Sequence, residues 1–277
     1  NRSSRLLRGV DEEVVARFEE AASKQWNIVK DASLSEIREN ADGSVTVVAK
    51  RTTENGEELL EIPADAVLVA TGRRPNTDTL NAKNYFDVQD GGQLSVDKYQ
   101  RVLYNGAPVP GVYALGDVSS RYQLKHVANH EARVVQHNLS HPEDLRASDH
   151  RYVPGAVFSN PQIAVVGMTE EQARESAERE GYEITVKAQN FGDTAYGWAM
   201  EDKIGLCKLI ARKDNGELLG AHLVGEESSV LIQPLLQAMS FGVDARTLAR
   251  GQYWIHPALT EIIENALLGL EFDEPAN

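Results

Sequence analysis

"ADAVLVATGRRPNT" (64–77) decides how the front of this chain is read. Residues 66–70 are all apolar. A short run without polar alternation reads as a strand buried on both faces, here over 64–72 and ending at Gly72. A glycine at that point lets backbone approach a ligand closely, because no Cβ intervenes. The same logic returns at "GVYALGDV" (111–118), where Asp117 follows the strand and Gly116 precedes it. In an α/β fold an aspartate just past a strand's carboxyl end is placed to accept a hydrogen bond from a sugar or ribityl hydroxyl. It is equally placed to cap a helix. Either segment alone leaves both readings open; two in this order favour a ligand site.

Working outward, residues from Asp11 onward carry Val14, Val15, Phe18, Ala21 and Ala22 on one helical face. "SVTVVAK" (44–50) alternates with period two, and Asp42-Gly43 and Asn55-Gly56 are hairpin-turn pairs, which predicts a β-meander. Residues 126–139 have helical spacing. The polar, proline-bounded "HPEDLRASDHRYVP" (141–154) reads as a linker. Beyond it an α+β unit is expected: strands at "GAVFSN" (155–160) and "PQIAVVG" (161–167), then a helix opened by Thr169 with Gln172 as capping-box partner and ended by Gly181. A hairpin turning at Asp214-Asn215-Gly216 follows, then an apolar helix over "SSVLIQPLLQAMSFG" (228–242), then a closing helix after His256. The apolar face of that last helix (Ile262, Ile263, Ala266, Leu267) suits a core or a subunit interface.

Composition narrows the function classes. With 277 residues, 42% hydrophobic and 25% charged, the chain has the make-up of a globular protein with about two domains. A net charge of −14 argues against a nucleic-acid backbone as partner. No apolar run approaches the roughly 18 residues of a membrane span, and no apolar signal core follows the basic "NRSSRLLRGV" (1–10), so neither a membrane partner nor export is expected. Cys207 is the only cysteine, which rules out an internal disulfide or a cysteine-rich metal site and makes cytoplasmic residence the expectation. Cys207 itself reads as a small hydrophobe in a strand.

The ordered set "ATGRRPNT" (70–77), "GVYALGDV" (111–118) and "HPALTE" (256–261) resembles the pyridine nucleotide–disulfide oxidoreductases. The Gly-rich FAD-binding turn, the Cys-x4-Cys pair and the second Gly-rich turn of that family's pattern are not found here. The resemblance therefore implies the C-terminal portion of such an enzyme, inactive as a fragment. The fold it implies is α/β plus α+β: the remainder of FAD- and NAD(P)-binding Rossmann-like domains, then an α+β dimerisation domain. The implied boundaries are 1–70 for the tail of the NADPH-binding domain with its β-meander, 71–148 for the second part of the FAD-binding domain, and 149–277 for the interface domain.

Residue by residue, the resemblance implies that Asp117 bonds the FAD ribityl chain, with Gly72 and Gly116 allowing close approach. Leu124, Lys125 and His126 would line the flavin's pyrimidine edge at the start of a helix, whose dipole favours an anion there. Arg2 and Arg8 would receive the 2′-phosphate of NADPH, for which the guanidinium fork is suited; two surface arginines are the alternative. His256 would be the acid–base of disulfide reduction. A thiolate leaving group needs a proton and an attacking cysteine must lose one, and imidazole does both near neutrality. Pro257 would start the helix at its first position and Glu261 would orient the ring. The implied partners are a second copy of the chain and a low-molecular-weight thiol disulfide. An NAD-dependent enzyme acting on lipoyl groups, or a dimerisation module without catalysis, are the competing readings.

Overall fold

Residues 1–273 are described by a computed structural model, and they divide into two compact units. One comprises residues 1–68 together with the chain from residue 154 onward; the other comprises residues 69–153.

The first unit opens with helix α1 (Glu12–Ala22), whose apolar spacing places Val14, Val15, Phe18, Ala21 and Ala22 inside as the sequence predicts. Strands β1 (Ala32–Glu39), β2 (Val45–Thr53) and β3 (Gly56–Ala64) form an antiparallel meander in that order. Gly43 and Gly56, both with positive φ, make its turns.

The expected buried strand over 64–72 is not formed. β3 ends at Ala64, and residues 65–72 run without strand pairing, with Leu68 89% exposed. The reason is physical: an apolar run becomes a strand only where a neighbour takes its backbone groups, and no described strand lies alongside.

The rest of this unit is built on a five-stranded antiparallel sheet, in the order β6 (Gly155–Val157), β7 (Gln162–Gly167), β10 (Leu218–Gly225), β9 (Leu206–Arg212), β8 (Ile184–Asn190). Helix α3 (Glu170–Glu180) has the expected capping box of Thr169 and Gln172 and ends at left-handed Gly181. A short helix α4 (Ala195–Ala199) precedes β9. Val14, Phe18 and Ala22 of α1 pack with Ile163, Leu206 and Val224 of the sheet.

Two expectations for the end of the chain are corrected, and a choice left open is settled. The apolar helix over 228–242 is two helices, α5 (Ser228–Leu231) and α6 (Gln233–Phe241), because Pro234 supplies no N–H to continue the first. After α7 (Ala245–Arg250), the last helix α8 spans Glu261–Leu268. Pro257 is therefore not its first residue; the helix starts at Glu261, after Thr260, and the His256–Pro257 bond is cis. Of the two readings of the apolar face of α8, the structure selects the core: Ile262, Ile263, Ala266 and Leu267 are fully buried within the chain.

The second unit contains the hairpin β4 (Arg101–Tyr104) and β5 (Ala107–Tyr113), a 3-10 turn over Gly116–Val118, and helix α2 (Lys125–Ser140). Ala82, Leu94, Val102 and Ala114 make its small core. The stretch read as a linker is pinned here: Ser148 N–H donates to the Lys98 carbonyl, and the Asn138 amide holds the Arg146 backbone.

A candidate acid–base dyad and a candidate flavin-binding turn

Two groups of sequence-predicted residues take definite shape, one in each unit. In the first unit, His256 lies in irregular backbone ahead of α8. Because it is not helical, the five-residue spacing to Glu261 does not separate the side chains, and Nδ1 meets Glu261 Oε1 at 2.7 Å. Glu261 Oε2 also accepts from the Ala258 N–H at 3.3 Å, which fixes the carboxylate from a second side. The ring is 69% exposed and the carboxylate only 16%. Glu261 therefore holds Nδ1–H, and Nε2 is left to exchange a proton with a group outside. Beside it Tyr253 and Ile255 stand out into solvent.

The second unit brings together the two glycine-ended stretches. The Arg73 guanidinium, next to Gly72, donates to Asp117 Oδ2 at 2.6 Å, and Gln123 donates to the Arg73 carbonyl at 3.4 Å. Asp117 is carried on the 3-10 turn with Gly116, whose φ is +69°. Its carboxylate remains partly exposed, an acceptor to which a polyol hydroxyl can donate. Gly72 has φ +125° and open space where a Cβ would stand, so its glycine character answers to backbone conformation and not to crowding. Leu124 caps α2 with extended backbone and no side-chain hydrogen bond. Lys125 bonds Asn129 one turn on, and His126 is exposed beside it. A partly exposed carboxylate on a tight turn and a helix start without a side-chain cap fit the ribityl chain and anionic edge of a flavin.

Arg2 and Arg8 are exposed near the start of the first unit. Cys207 is fully buried in β9, and burial alone pushes its thiol up to about 12, so it is inert as a nucleophile.

Three features escaped sequence reasoning. Arg73 stands in the quoted stretch, and its basic character beside Gly72 was the available signal. Glu131 is a carboxylate on the buried face of α2, with Oε2 at 2.7 Å from Gly116 N and Oε1 at 3.0 Å from His150 Nε2. The third is a buried cluster around Lys208 of β9, whose ammonium meets Asp11 at 3.0 Å, Glu170 at 2.7 Å and Glu13 at 3.3 Å. Burial pulls the Asp11 carboxyl upward, but hydrogen bonds from the Glu170 N–H and from Lys208 outweigh it, and the pKa falls below the ordinary 3.8. Glu170 is likewise lowered: burial is outweighed by Lys208 and Arg174. Nearby His222 is buried, donates Nε2–H to the Met168 carbonyl at 2.7 Å, and has its pKa lowered chiefly by burial, so it is neutral at pH 7.

Residues 1–132 match the family described as pyridine nucleotide-disulphide oxidoreductase, and residues 153–267 match the dimerisation domain of the same family. The chain is 51% identical over 274 residues to mycothione reductase of Mycobacterium tuberculosis (strain ATCC 25618 / H37Rv), covering 97% of this chain and 56% of that protein. It is 31% identical over 244 residues to dihydrolipoyl dehydrogenase 2, chloroplastic, of Arabidopsis thaliana, covering 88% of this chain and 42% of that one. Among solved structures, the HOCl-induced flavoprotein disulfide reductase RclA from Escherichia coli superposes with a TM-score of 0.82 at 27% identity, over 97% of this chain and 58% of its own. The chain thus spans about half the length of the relatives it matches. On its motifs, its two family matches and its fold, this chain belongs to the pyridine nucleotide–disulphide oxidoreductase family.

Proposed function

We propose that this chain supplies the flavin-binding turn, the acid–base dyad and the subunit interface of an FAD-containing, NADPH-dependent reductase of mycothiol disulfide. The observation that carries the reading is the His256–Glu261 pair, held at 2.7 Å in a chain 51% identical to mycothione reductase. FAD, when bound, supplies the route by which reducing equivalents pass from the nicotinamide to a cysteine pair. Asp117 accepts from the ribityl hydroxyls, while Leu124, Lys125 and His126 border the pyrimidine edge. Arg2 and Arg8 receive the 2′-phosphate of NADPH. His256 Nε2 takes the proton of the attacking thiol and returns one to the departing thiolate, and Glu261 keeps the ring turned for both transfers.

The domain partition follows from the same reading: 1–70 the tail of the NADPH-binding domain, 71–148 the second part of the FAD-binding domain, 149–277 the interface domain. A homodimer joined through 151–271 is expected, with the exposed Tyr253 and Ile255 beside His256 as part of the joint. No helix among the described residues is long and apolar enough to cross a membrane, and residence in the cytoplasm is part of the proposal.

Steady-state reduction of mycothiol disulfide by the full-length protein tests the function, with NADPH against NADH and mycothiol disulfide against lipoamide. Preference for NADH and lipoamide would hand the reading to the dihydrolipoyl dehydrogenases, which match at 31–32% identity. Light scattering tests the dimer, and a monomer at micromolar concentration would sink it. The chain on its own is expected to be inactive and to hold FAD weakly, since its one cysteine is buried and it has no Gly-rich turn for a pyrophosphate.

A further inference from the structure

Glu131 is 1% exposed and lies on the face of α2 that also buries Val127, Val134, Val135 and Asn138. A carboxylate in such a place is costly unless its oxygens are bonded. One of its bonds goes to backbone of a different motif: Gly116 N–H donates to Oε2 at 2.7 Å. Gly116 sits in left-handed backbone and opens the turn that carries Asp117. Its carbonyl accepts from the Ser119 and Ser120 N–H groups at 3.0 and 2.7 Å. Both backbone polar groups of Gly116 are therefore tied, and the tie on the N–H side is Glu131. The turn also presses on α2: a Cβ added at Gly116 would stand 3.1 Å from the Ala128 Cβ, one helical turn before Glu131. His150 holds the other oxygen at 3.0 Å, and its ring packs on Tyr122, just ahead of the α2 cap.

From this geometry we infer that Glu131 is a positioning residue for the cofactor: it fixes the Gly116–Val118 turn so that the Asp117 carboxylate faces the flavin's ribityl chain, with His150 steadying its second oxygen. The inference rests on the flavin reading above. Glu131 touches no cofactor atom; it acts through the backbone that bears Asp117. Removing the carboxylate leaves the buried Gly116 N–H without an acceptor and frees the turn to shift.

The test uses the full-length protein stripped of flavin and titrated with FAD, reading the dissociation constant, the visible circular dichroism of the bound flavin and the thermal midpoint without flavin. Glu131→Leu should weaken FAD about ten- to hundredfold and alter the dichroism. Glu131→Gln keeps an acceptor for Gly116 and should weaken FAD only about threefold. Wild-type affinity and dichroism in Glu131→Leu, or equal losses in both variants, would overturn the inference. Should Glu131→Leu fail to fold, Glu131→Gln carries the test. Its threefold loss should vanish in an Asp117→Ala background, since the effect passes through Asp117. No loss, or an additive one, counts against it. A wild-type protein that takes up no FAD would instead bring down the flavin reading and this inference with it.

Discussion

The described residues contain two glutamate–histidine pairs of nearly equal length, 2.7 Å for Glu261–His256 and 3.0 Å for Glu131–His150, and they do opposite work. At residue 256 the ring is the exposed partner and the carboxylate is mostly buried. At residue 131 the carboxylate is sealed and the ring lies at its edge. The second bond of each carboxylate separates them further. Glu261 reaches the Ala258 N–H three residues away, which only steadies its own position. Glu131 reaches Gly116 across fifteen residues, which holds another motif in place. A Glu–His contact thus has no fixed meaning: burial and the remaining hydrogen bond decide which partner is served.

The largest expected effect tests the exposed pair. A general acid–base contributes roughly 10²–10⁴-fold, so His256→Ala should slow disulfide reduction in the full-length protein by about that factor. Reduction of the flavin by NADPH should hardly change. Rapid-mixing kinetics separates the two half-reactions; a variant slowed only in the NADPH half would return His256 to a structural role and dissolve the contrast between the pairs.

Next comes the buried extreme, the cluster in which Lys208 neutralises Asp11 and Glu170. Lys208→Met leaves Asp11 buried without its counter-ion and Glu170 with Arg174 alone, and should cost about 3–5 kcal/mol, read from the urea midpoint at pH 7. The sign of the pH dependence follows from the lowered carboxyl values. Their stabilisation is present above the unfolded values of 3.8 and 4.5 and is lost as pH falls through the lower folded ones. Lys208 is raised, since its bonds to Glu170 and Asp11 outweigh the downward pull of burial, and it stays charged throughout. The gap between wild type and variant should therefore narrow below about pH 4. A gap independent of pH would mean that the variant lost packing and not charge pairing.

Much of this arrangement was legible in the sequence where the signal is local. The α1 face, the Asp-Gly and Asn-Gly turns and the Thr169–Gln172 capping box depend on neighbours within one turn. The His256–Glu261 pair was legible through resemblance, although the Pro257 helix start was not: irregular backbone, and not a capped helix mouth, brings the groups together. The expected strand over 64–72 failed because hydrophobicity reports that a segment can be buried and says nothing of whether a strand lies beside it. Glu131 and Lys208 were missed for a related reason. Each sits where periodicity calls for an apolar residue, and its partners come from distant stretches that no spacing rule connects.

A smaller effect is expected from Glu261→Gln, which keeps a hydrogen-bonding group beside Nδ1 and removes the charge. The loss in disulfide reduction should be about fivefold, since a hydrogen bond to a charged group is worth about 1 kcal/mol more than a neutral one. Flavin affinity should not move. A loss as large as that of His256→Ala would make the two residues a single unit, in which the carboxylate does more than orient the ring.

His150→Ala should have the smallest effect, and it is the sharpest discriminator between the pairs. The ring is partly exposed, at 29%, so water can reach Glu131 Oε1 once the imidazole is gone and the oxygen is not left bare. The Gly116 bond to Oε2 is unaffected. FAD affinity of the full-length protein should therefore fall by only about twofold, far less than for Glu131→Leu, where the buried N–H is orphaned. Fluorescence titration of FAD resolves a change of that size. If His150→Ala matched Glu131→Leu, the histidine and not the Gly116 bond would be what the buried carboxylate serves, and the two glutamate–histidine pairs would be alike after all.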